Sequence, residues 1–282
     1  MLALSAAMAG GFHVYATALN DMLDVRHDRL FSPQRPVASG HLSLRRAAMV
    51  ATGSLLIALL CCVLLGRWSI LFGLAMAGSL FFYNVAGKYV PGVGLLMLGV
   101  IRALCMLIVN PEAGYLWPLW LAASQTIVSG GAAYVMEGKR PSLTTGQVCV
   151  TAAGWAFGSL AMLSWIGRHG QRMGTGEDGR WIWPTAAVVM FALLMGWWIG
   201  RGGQTFRQRR ARGRMLGRLG IQWLVLYDMS WLLGMKMFEA AAVHGGLLVL
   251  SVLSLRVVKL VDAIWKSEEE EQDGYVLSHQ KK

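Results

Sequence analysis

Long apolar stretches, each about as long as a bilayer is thick, constrain this chain more than any other feature. A membrane-spanning helix needs about 20 mostly apolar residues. Lipid offers backbone amides no hydrogen-bond partner, and the alternation typical of barrel strands is missing, so these stretches must be helices. We therefore predict an all-α, polytopic transmembrane helical bundle of about eight to nine spans. The candidate stretches are 2–19, 44–65, 68–83, 93–109, 116–136, 148–166, 182–200, 219–233 and 240–260.

The charge composition favours a membrane over a nucleic acid as the partner. Only 15% of the residues are charged, against about 25% in an average soluble domain. The chain has 26 Lys and Arg against 15 Asp and Glu, and the basic residues lie between the apolar stretches. This arrangement suits an anionic leaflet, so we expect membrane lipids as partners and no nucleic acid.

The distribution of the basic residues also predicts an orientation. With the N-terminus outside, most Lys and Arg residues fall in cytoplasmic loops, as the positive-inside rule requires. These loops include the Arg-dense stretch 201–218. We interpret its run 207–218 as a cytoplasmic loop that binds the leaflet rather than RNA. We expect an integral membrane protein of the bacterial plasma membrane with its active site facing the cytoplasm, although an organellar membrane stays open.

We predict a simple domain organisation. Residues 1–266 form a single transmembrane helical domain, and residues 267–282 form an acidic cytoplasmic tail. The tail holds a run of like charges beside the last apolar stretch. Such runs are typical of solvated, disordered extensions.

Three of the remaining acids lie close together at the end of the first stretch. Asp21, Asp24 and Asp28 have helical spacing that puts them on one face, and Asn20 lies beside them. Close carboxylates repel one another unless a cation lies among them, and hard oxygen ligands suit Mg²⁺. A helix end emerging into water is the alternative, but it does not explain acids at an otherwise Arg-rich membrane edge, where ionisable groups are functional candidates.

A basic loop follows these acids and completes a recognisable pattern. The segment NDxxDxxxD is followed by RPxxSG, which begins at Arg35. Together they resemble the first signature of the UbiA superfamily of intramembrane prenyltransferases. The resemblance continues through Tyr83-Asn84, Lys88 and the stretch from Gly99 to Arg102.

The resemblance implies a UbiA-like fold and Mg²⁺ as the cofactor. It also implies two substrates, a prenyl diphosphate and a lipophilic acceptor, which in this family is often an aromatic ring. It assigns Asp21, Asp24 and Asp28 as catalytic residues that hold the metal, and Asn20 as the residue that orients them. Arg35 and Lys88 would contact the diphosphate. Arg102 would either bind substrate or pair with Asp228 in a late span.

The second acidic motif of the family has only a partial counterpart. At the corresponding position Glu137 is the sole carboxylate, followed by Lys139 and Arg140. Glu137 could hold one metal ion, the two cations could neutralise the diphosphate in place of a second Mg²⁺, or the site could be degraded. The family also has a helix before the one that carries the first motif. Either the start of this chain is truncated or this branch lacks that preceding helix. Leu226-Tyr227-Asp228 is most similar to the EboC-like branch.

Two functional hypotheses follow from these residues. The first is a prenyltransferase that moves an isoprenoid group onto a lipophilic acceptor. The second is a non-catalytic membrane protein that binds or transports an isoprenoid or another metabolite through a degraded UbiA site. A scaffold without a small ligand would leave the acids unexplained. The acceptor and the prenyl chain length stay open.

Overall fold

The computed structural model describes residues 2–110, 116–139, 141–169, 182–201, 205–254 and 256–257, and this part of the chain is helical. Its regular elements are α1 (Leu2–Leu23), α2 (Val25–Phe31), α3 (Leu44–Leu65), α4 (Arg67–Val85), a 3₁₀ turn (Gly87–Tyr89), α5 (Pro91–Val109), α6 (Leu116–Glu137), α7 (Thr145–His169), α8 (Ile182–Gly200), α9 (Phe206–Gly234) and α10 (Phe238–Ser254). The predicted all-α class is confirmed. The acidic tail at 267–282 lies outside the described residues.

Within the part of the chain that the structure describes, five helices are long and apolar enough to cross a membrane. By length and composition these are α3, α4, α5, α8 and the Thr145–Trp165 part of α7. The predicted total of eight to nine spans stays a prediction. Apolar side chains on these helices point outward in large numbers, including Leu56, Leu60 and Leu64 on α3. Such surfaces are stable in lipid rather than in water.

The prediction of a loop over 207–218 was wrong. The structure continues the Arg-rich stretch as helix from Phe206 into the following apolar residues. Thr205 caps this helix, because its side-chain oxygen accepts from the Gln208 backbone N–H at 3.3 Å and its carbonyl from Arg209 N–H at 3.0 Å. The arginines interrupt the apolar pattern in the sequence, but arginine is a good helix former, so α9 continues through them.

The described residues fall into two compact units. One comprises those within 1–176 and 194–220, and the other those within 177–193 and 221–282, so that α8 and α9 contribute to both. In the second unit, the Trp223 indole N–H donates to the Ala187 carbonyl at 3.1 Å, and its ring packs against Phe191. The single domain expected over 1–266 stays a prediction.

The first unit has a core built from its N-terminal helices. Buried side chains of α1, α3, α4 and α5 form it, among them Met8, Phe12, Cys62, Met76 and Ile108. α1 approaches α3 closely at Gly11, where a Cβ would lie 2.8 Å from the Ser54 carbonyl oxygen. This packing holds the C-terminal end of α1, which carries the acidic motif, against the ends of its neighbours.

Candidate functional site

The acidic motif spans a short interruption between two helices. α1 ends at Leu23, α2 begins at Val25, and Asp24 lies between them. Helical hydrogen bonds nevertheless continue across the break, from Asp24 N–H to the Asn20 carbonyl at 2.9 Å and from Asp28 N–H to the Asp24 carbonyl at 2.8 Å. The acids therefore keep nearly the helical spacing that the sequence predicted.

Arg35 joins two of the three acids. Its Nη1 donates to Asp21 Oδ1 at 3.1 Å and to Asp28 Oδ2 at 3.0 Å. Asp28 is buried, so this ion pair compensates a carboxylate that has little contact with solvent. The charge-assisted bonds bring both acids towards a single nitrogen.

The RPxxSG segment forms the compact loop that positions Arg35. The Arg35 carbonyl accepts from Ser39 N–H at 2.8 Å, and the Pro36 carbonyl accepts from Leu42 N–H at 2.8 Å. Gly40 has a φ of 84°, a left-handed conformation that glycine adopts without steric cost. The Pro, Ser and Gly positions of the motif thus shape the loop, while its arginine contacts the acids.

Lys88 serves the third acid from a distant part of the chain. It lies in the 3₁₀ turn after α4, and its Nζ is 2.7 Å from both Oδ1 and Oδ2 of Asp24 and 3.1 Å from Asn20 Oδ1. α5 packs closely on this turn, since a Cβ at Gly94 would lie 2.7 Å from the Gly87 carbonyl oxygen. Three oxygens therefore surround one ammonium group.

Tyr89 is a site residue that the sequence analysis missed. Its hydroxyl donates to Asp24 Oδ1 at 3.2 Å. Loss of hydration raises the pKa of Tyr89, and the charge and hydrogen bond of Asp24 raise the same pKa further. The available signal was its position directly after Lys88, within a turn that the resemblance already included.

The oxygen donors fit Mg²⁺ in pairs rather than as a trio. Within the described ranges, no group of three or more His, Cys, Asp or Glu side chains is close enough to hold a metal ion. Asp21 and Asp28 nevertheless converge on one cationic nitrogen, and Asp24 with Asn20 converges on another. Mg²⁺ is usually bound by one or two carboxylates together with substrate phosphates, so either pair suits it chemically.

Comparison with known proteins identifies the family. The sequence profile described as the UbiA prenyltransferase family matches residues 1–215. The chain belongs to the UbiA prenyltransferase family. No curated protein sequence matches it. The family assignment and the apolar helices together make this an integral membrane protein.

Two solved structures are similar in fold. A structure of digeranylgeranylglyceryl phosphate synthase in membranes matches with a TM-score of 0.55 and 15% identity, over 82% of this chain and 84% of that one. The apo structure of a UbiA homolog from Aeropyrum pernix K1 matches with a TM-score of 0.49 and 21% identity, over 77% of this chain and 87% of that one. The predicted UbiA-like fold is confirmed.

The partial second motif of this UbiA protein forms a separate cluster. Glu137 ends α6, and its Oε2 lies 3.3 Å from Lys139 Nζ. Lys139 also lies over the Tyr134 ring. The start of α5 packs against the turn that carries Lys88, and it also meets the last part of α6, since a Cβ at Gly131 would lie 3.4 Å from Leu95 Cδ1. Both motifs therefore lie at the same end of the first unit. Arg140 lies outside the described residues.

The other residues of the resemblance have different surroundings. Asn84 is buried, and its side-chain amide donates to the Leu80 carbonyl of its own helix at 2.9 Å. It therefore stabilises the end of α4, next to the turn that carries Lys88. Arg102 lies within α5 and is partly buried. Its predicted roles, substrate binding or pairing with Asp228, stay predictions.

Proposed function

We propose that this UbiA protein is an intramembrane prenyltransferase that moves an isoprenoid group from a prenyl diphosphate to a lipophilic acceptor. The observation that carries the proposal is the pair of cations held among the motif oxygens. Arg35 and Lys88 are delivered to the acids by two separate loops. A site that gathers carboxylates and cations at a membrane edge is suited to a metal-bound diphosphate.

The chemistry requires negative charge to be stabilised as the donor ionises. The bond between the allylic carbon and the diphosphate oxygen breaks, both electrons leave with the oxygen, and the acceptor then attacks the allylic cation and loses a proton. Mg²⁺ held by one of the two oxygen pairs, Asp21 with Asp28 or Asp24 with Asn20, would supply positive charge to the leaving group. Glu137 is the candidate ligand at the second motif.

The chain's own cations have a defined task in this scheme. Arg35 and Lys88 are within reach of the carboxylates now, and a diphosphate entering the site offers them oxygens of higher charge. Asn20 keeps Lys88 close to Asp24 through its side-chain oxygen. Lys139 can add positive charge from the second motif. The apolar helices would receive the isoprenoid tail.

A second function remains in competition. The single carboxylate at the second motif is paired with its near neighbour Lys139, which favours a protein that binds or transports an isoprenoid or another metabolite without turnover. For both candidates we propose, on the distribution of the basic residues, that the site faces the cytoplasm. We propose the bacterial plasma membrane as the location, with an organellar membrane as the alternative.

The deciding experiment is binding and turnover of geranylgeranyl diphosphate by the full-length protein, with Mg²⁺ and then with EDTA. Asp24→Asn is compared with Glu239→Gln, which changes an exposed carboxylate on α10 in the same way. An enzyme should bind the donor only with Mg²⁺, should release diphosphate when a suitable acceptor is present, and should lose both properties in Asp24→Asn alone.

The opposite result is equally informative. In that case, binding would be saturable, would be unchanged by EDTA and by Asp24→Asn, and no diphosphate would be released with any of a panel of acceptors. These results would overturn the enzyme assignment and favour the carrier.

A further inference from the structure

The first half of α9 carries a row of arginines without acidic partners. Arg210, Arg214 and Arg218 are spaced by four residues, so they follow one side of the helix at intervals of about 6 Å. We call these three residues the arginine ladder. All three are exposed, and in the ranges that the structure describes none forms an ion pair. Among the described residues, therefore, this side of α9 has a concentrated positive charge that no acidic side chain compensates.

Close packing on α6 fixes the direction in which the ladder points. Gly213 and Gly220 contact α6: a Cβ at Gly213 would lie 2.8 Å from the Glu137 backbone nitrogen, and one at Gly220 would lie 3.0 Å from Ser129 Oγ. The Gln125 side-chain amide also donates to the Gly220 carbonyl at 3.3 Å. Gly213 and Gly220 face α6, so the arginine ladder must lie next to these glycines on a side of α9 that does not contact α6.

The same contacts give the level of each arginine relative to α6. Gly213 lies beside Glu137, the last residue of α6, and Gly217 lies beside Ala133, one turn earlier. Arg214 and Arg218 each follow one of these glycines directly. Arg214 therefore lies at the level of the end of α6 and Arg218 about one turn inside it, while Arg210 lies about one turn beyond that end, so the ladder extends over about 12 Å.

Aromatic contacts place this level at the membrane boundary. Near the end of α8, the Arg201 guanidinium lies 4.1 Å from the Trp197 ring centroid. Arg212 Nη1 donates to the Arg201 carbonyl, which ties the start of α9 to that end. Tryptophan and arginine are enriched together where the hydrocarbon region meets water, the level at which lipid phosphates lie.

We infer that the arginine ladder is a binding site for a phosphate-bearing headgroup. Guanidinium groups bind phosphate oxygens through paired, charge-assisted hydrogen bonds, and three of them spaced along a helix match an anion at the bilayer surface. The phosphate can belong to an anionic lipid or to a free diphosphate. This site is separate from the Asp24–Lys88 cluster and does not depend on it.

The test uses full-length protein from vesicles of equal parts phosphatidylglycerol and phosphatidylcholine, with bound lipids counted by native mass spectrometry. Arg214→Gln/Arg218→Gln is compared with Arg45→Gln/Arg46→Gln, which removes two exposed arginines from the start of α3. The ladder variant should bind at least about tenfold less phosphatidylglycerol than the wild type. The amount bound by the control variant should fall by less than about twofold. Arg214→Lys/Arg218→Lys keeps the charge and should retain most of the binding.

Two further arms identify the source of the phosphate and separate this inference from the proposed function. Inorganic diphosphate that displaces phosphatidylglycerol from the ladder indicates a general phosphate site, and failure to displace it indicates a lipid site. Asp24→Asn should leave lipid binding unchanged, whichever function the protein has. Equal losses in the ladder and control variants, or equal retention of phosphatidylcholine and phosphatidylglycerol by the wild type, would overturn the inference.

Discussion

The ends of α1 and α6 each carry one acidic motif, but they balance charge in opposite ways. At the end of α1, three carboxylates are compensated by Arg35, 14 residues from Asp21, and by Lys88, 64 residues from Asp24. At the end of α6, Glu137 has Lys139 two residues away, and the arginines of α9 add further cations. The first cluster depends on tertiary packing, whereas the second is local and has an excess of positive charge.

This difference indicates a division of labour between the two motifs. In the proposed function, the end of α1, where carboxylates exceed cations, would accept a metal ion. Cations that exceed their carboxylates attract phosphate directly, as at the end of α6. In the proposed enzyme, the cations at the second motif would neutralise the diphosphate in place of a second metal-binding carboxylate.

The largest expected effect comes from removing an acid at the first motif. Asp24→Asn should lower binding and turnover of geranylgeranyl diphosphate by about 100-fold or more, because it removes the charge that holds Lys88 and that, in the proposed function, would hold metal. Glu137→Gln should cost less than about tenfold, because Lys139 is exposed and the pair is screened. Steady-state assays in Mg²⁺ check both values. Similar losses in the two variants would contradict the division of labour.

Removing Arg35 should lower stability as well as binding. Arg35→Gln leaves buried Asp28 without its cation, and we expect a loss of about 2 kcal/mol, reduced from the fully buried case because Arg35 is partly exposed. Lys139→Gln is the matched change at the second motif and should leave the unfolding temperature nearly unchanged. Thermal unfolding of the purified protein in detergent measures both, and a smaller shift for Arg35→Gln than for Lys139→Gln would refute the comparison.

The packing of α9 on α6 can be tested at Gly213. Gly213→Ala places a methyl group against the Glu137 and Ala133 backbones and should destabilise the protein by about 1–2 kcal/mol. Gly78→Ala on α4 meets nothing within 4 Å and should be neutral or slightly stabilising, since alanine favours helix. Unfolding temperatures decide the matter. An unchanged value for Gly213→Ala would mean that the two helices are not held this closely.

The smallest effect is expected at Tyr89. Tyr89→Phe removes one hydrogen bond to Asp24 and should weaken diphosphate binding by less than about fivefold. The pKa of this phenol is raised in the folded protein. The contribution of Tyr89 to stability is therefore complete at pH values below the ordinary tyrosine pKa of about 10, and it is lost as the pH rises through the raised pKa. Comparing the tyrosinate absorbance of wild type and Tyr89→Phe during an alkaline titration checks the direction. A Tyr89 signal that titrates below the ordinary tyrosine range would contradict it.

The sequence predicted much of the local structure because the relevant signals are local. The stretches 44–65 and 182–200 coincide with α3 and α8, and most other boundaries differ by only a few residues. The spacing of Asp21, Asp24 and Asp28 also predicted their nearness, since helical hydrogen bonds continue through the break at Asp24. The clear failure was at the start of α9, where arginine ended the apolar pattern while the Thr205 cap began a helix.

The pattern of apolar residues by itself determined that this chain forms membrane helices, because backbone amides in lipid have no other partners. The motif residues likewise determined which end of α1 would carry the acids. Only the tertiary structure decided that Asp21 and Asp28 share Arg35, that Lys88 and Tyr89 meet Asp24, and that glycines seat α9 on α6. These contacts join residues far apart in the chain, so they follow from helix packing, which no local pattern encodes.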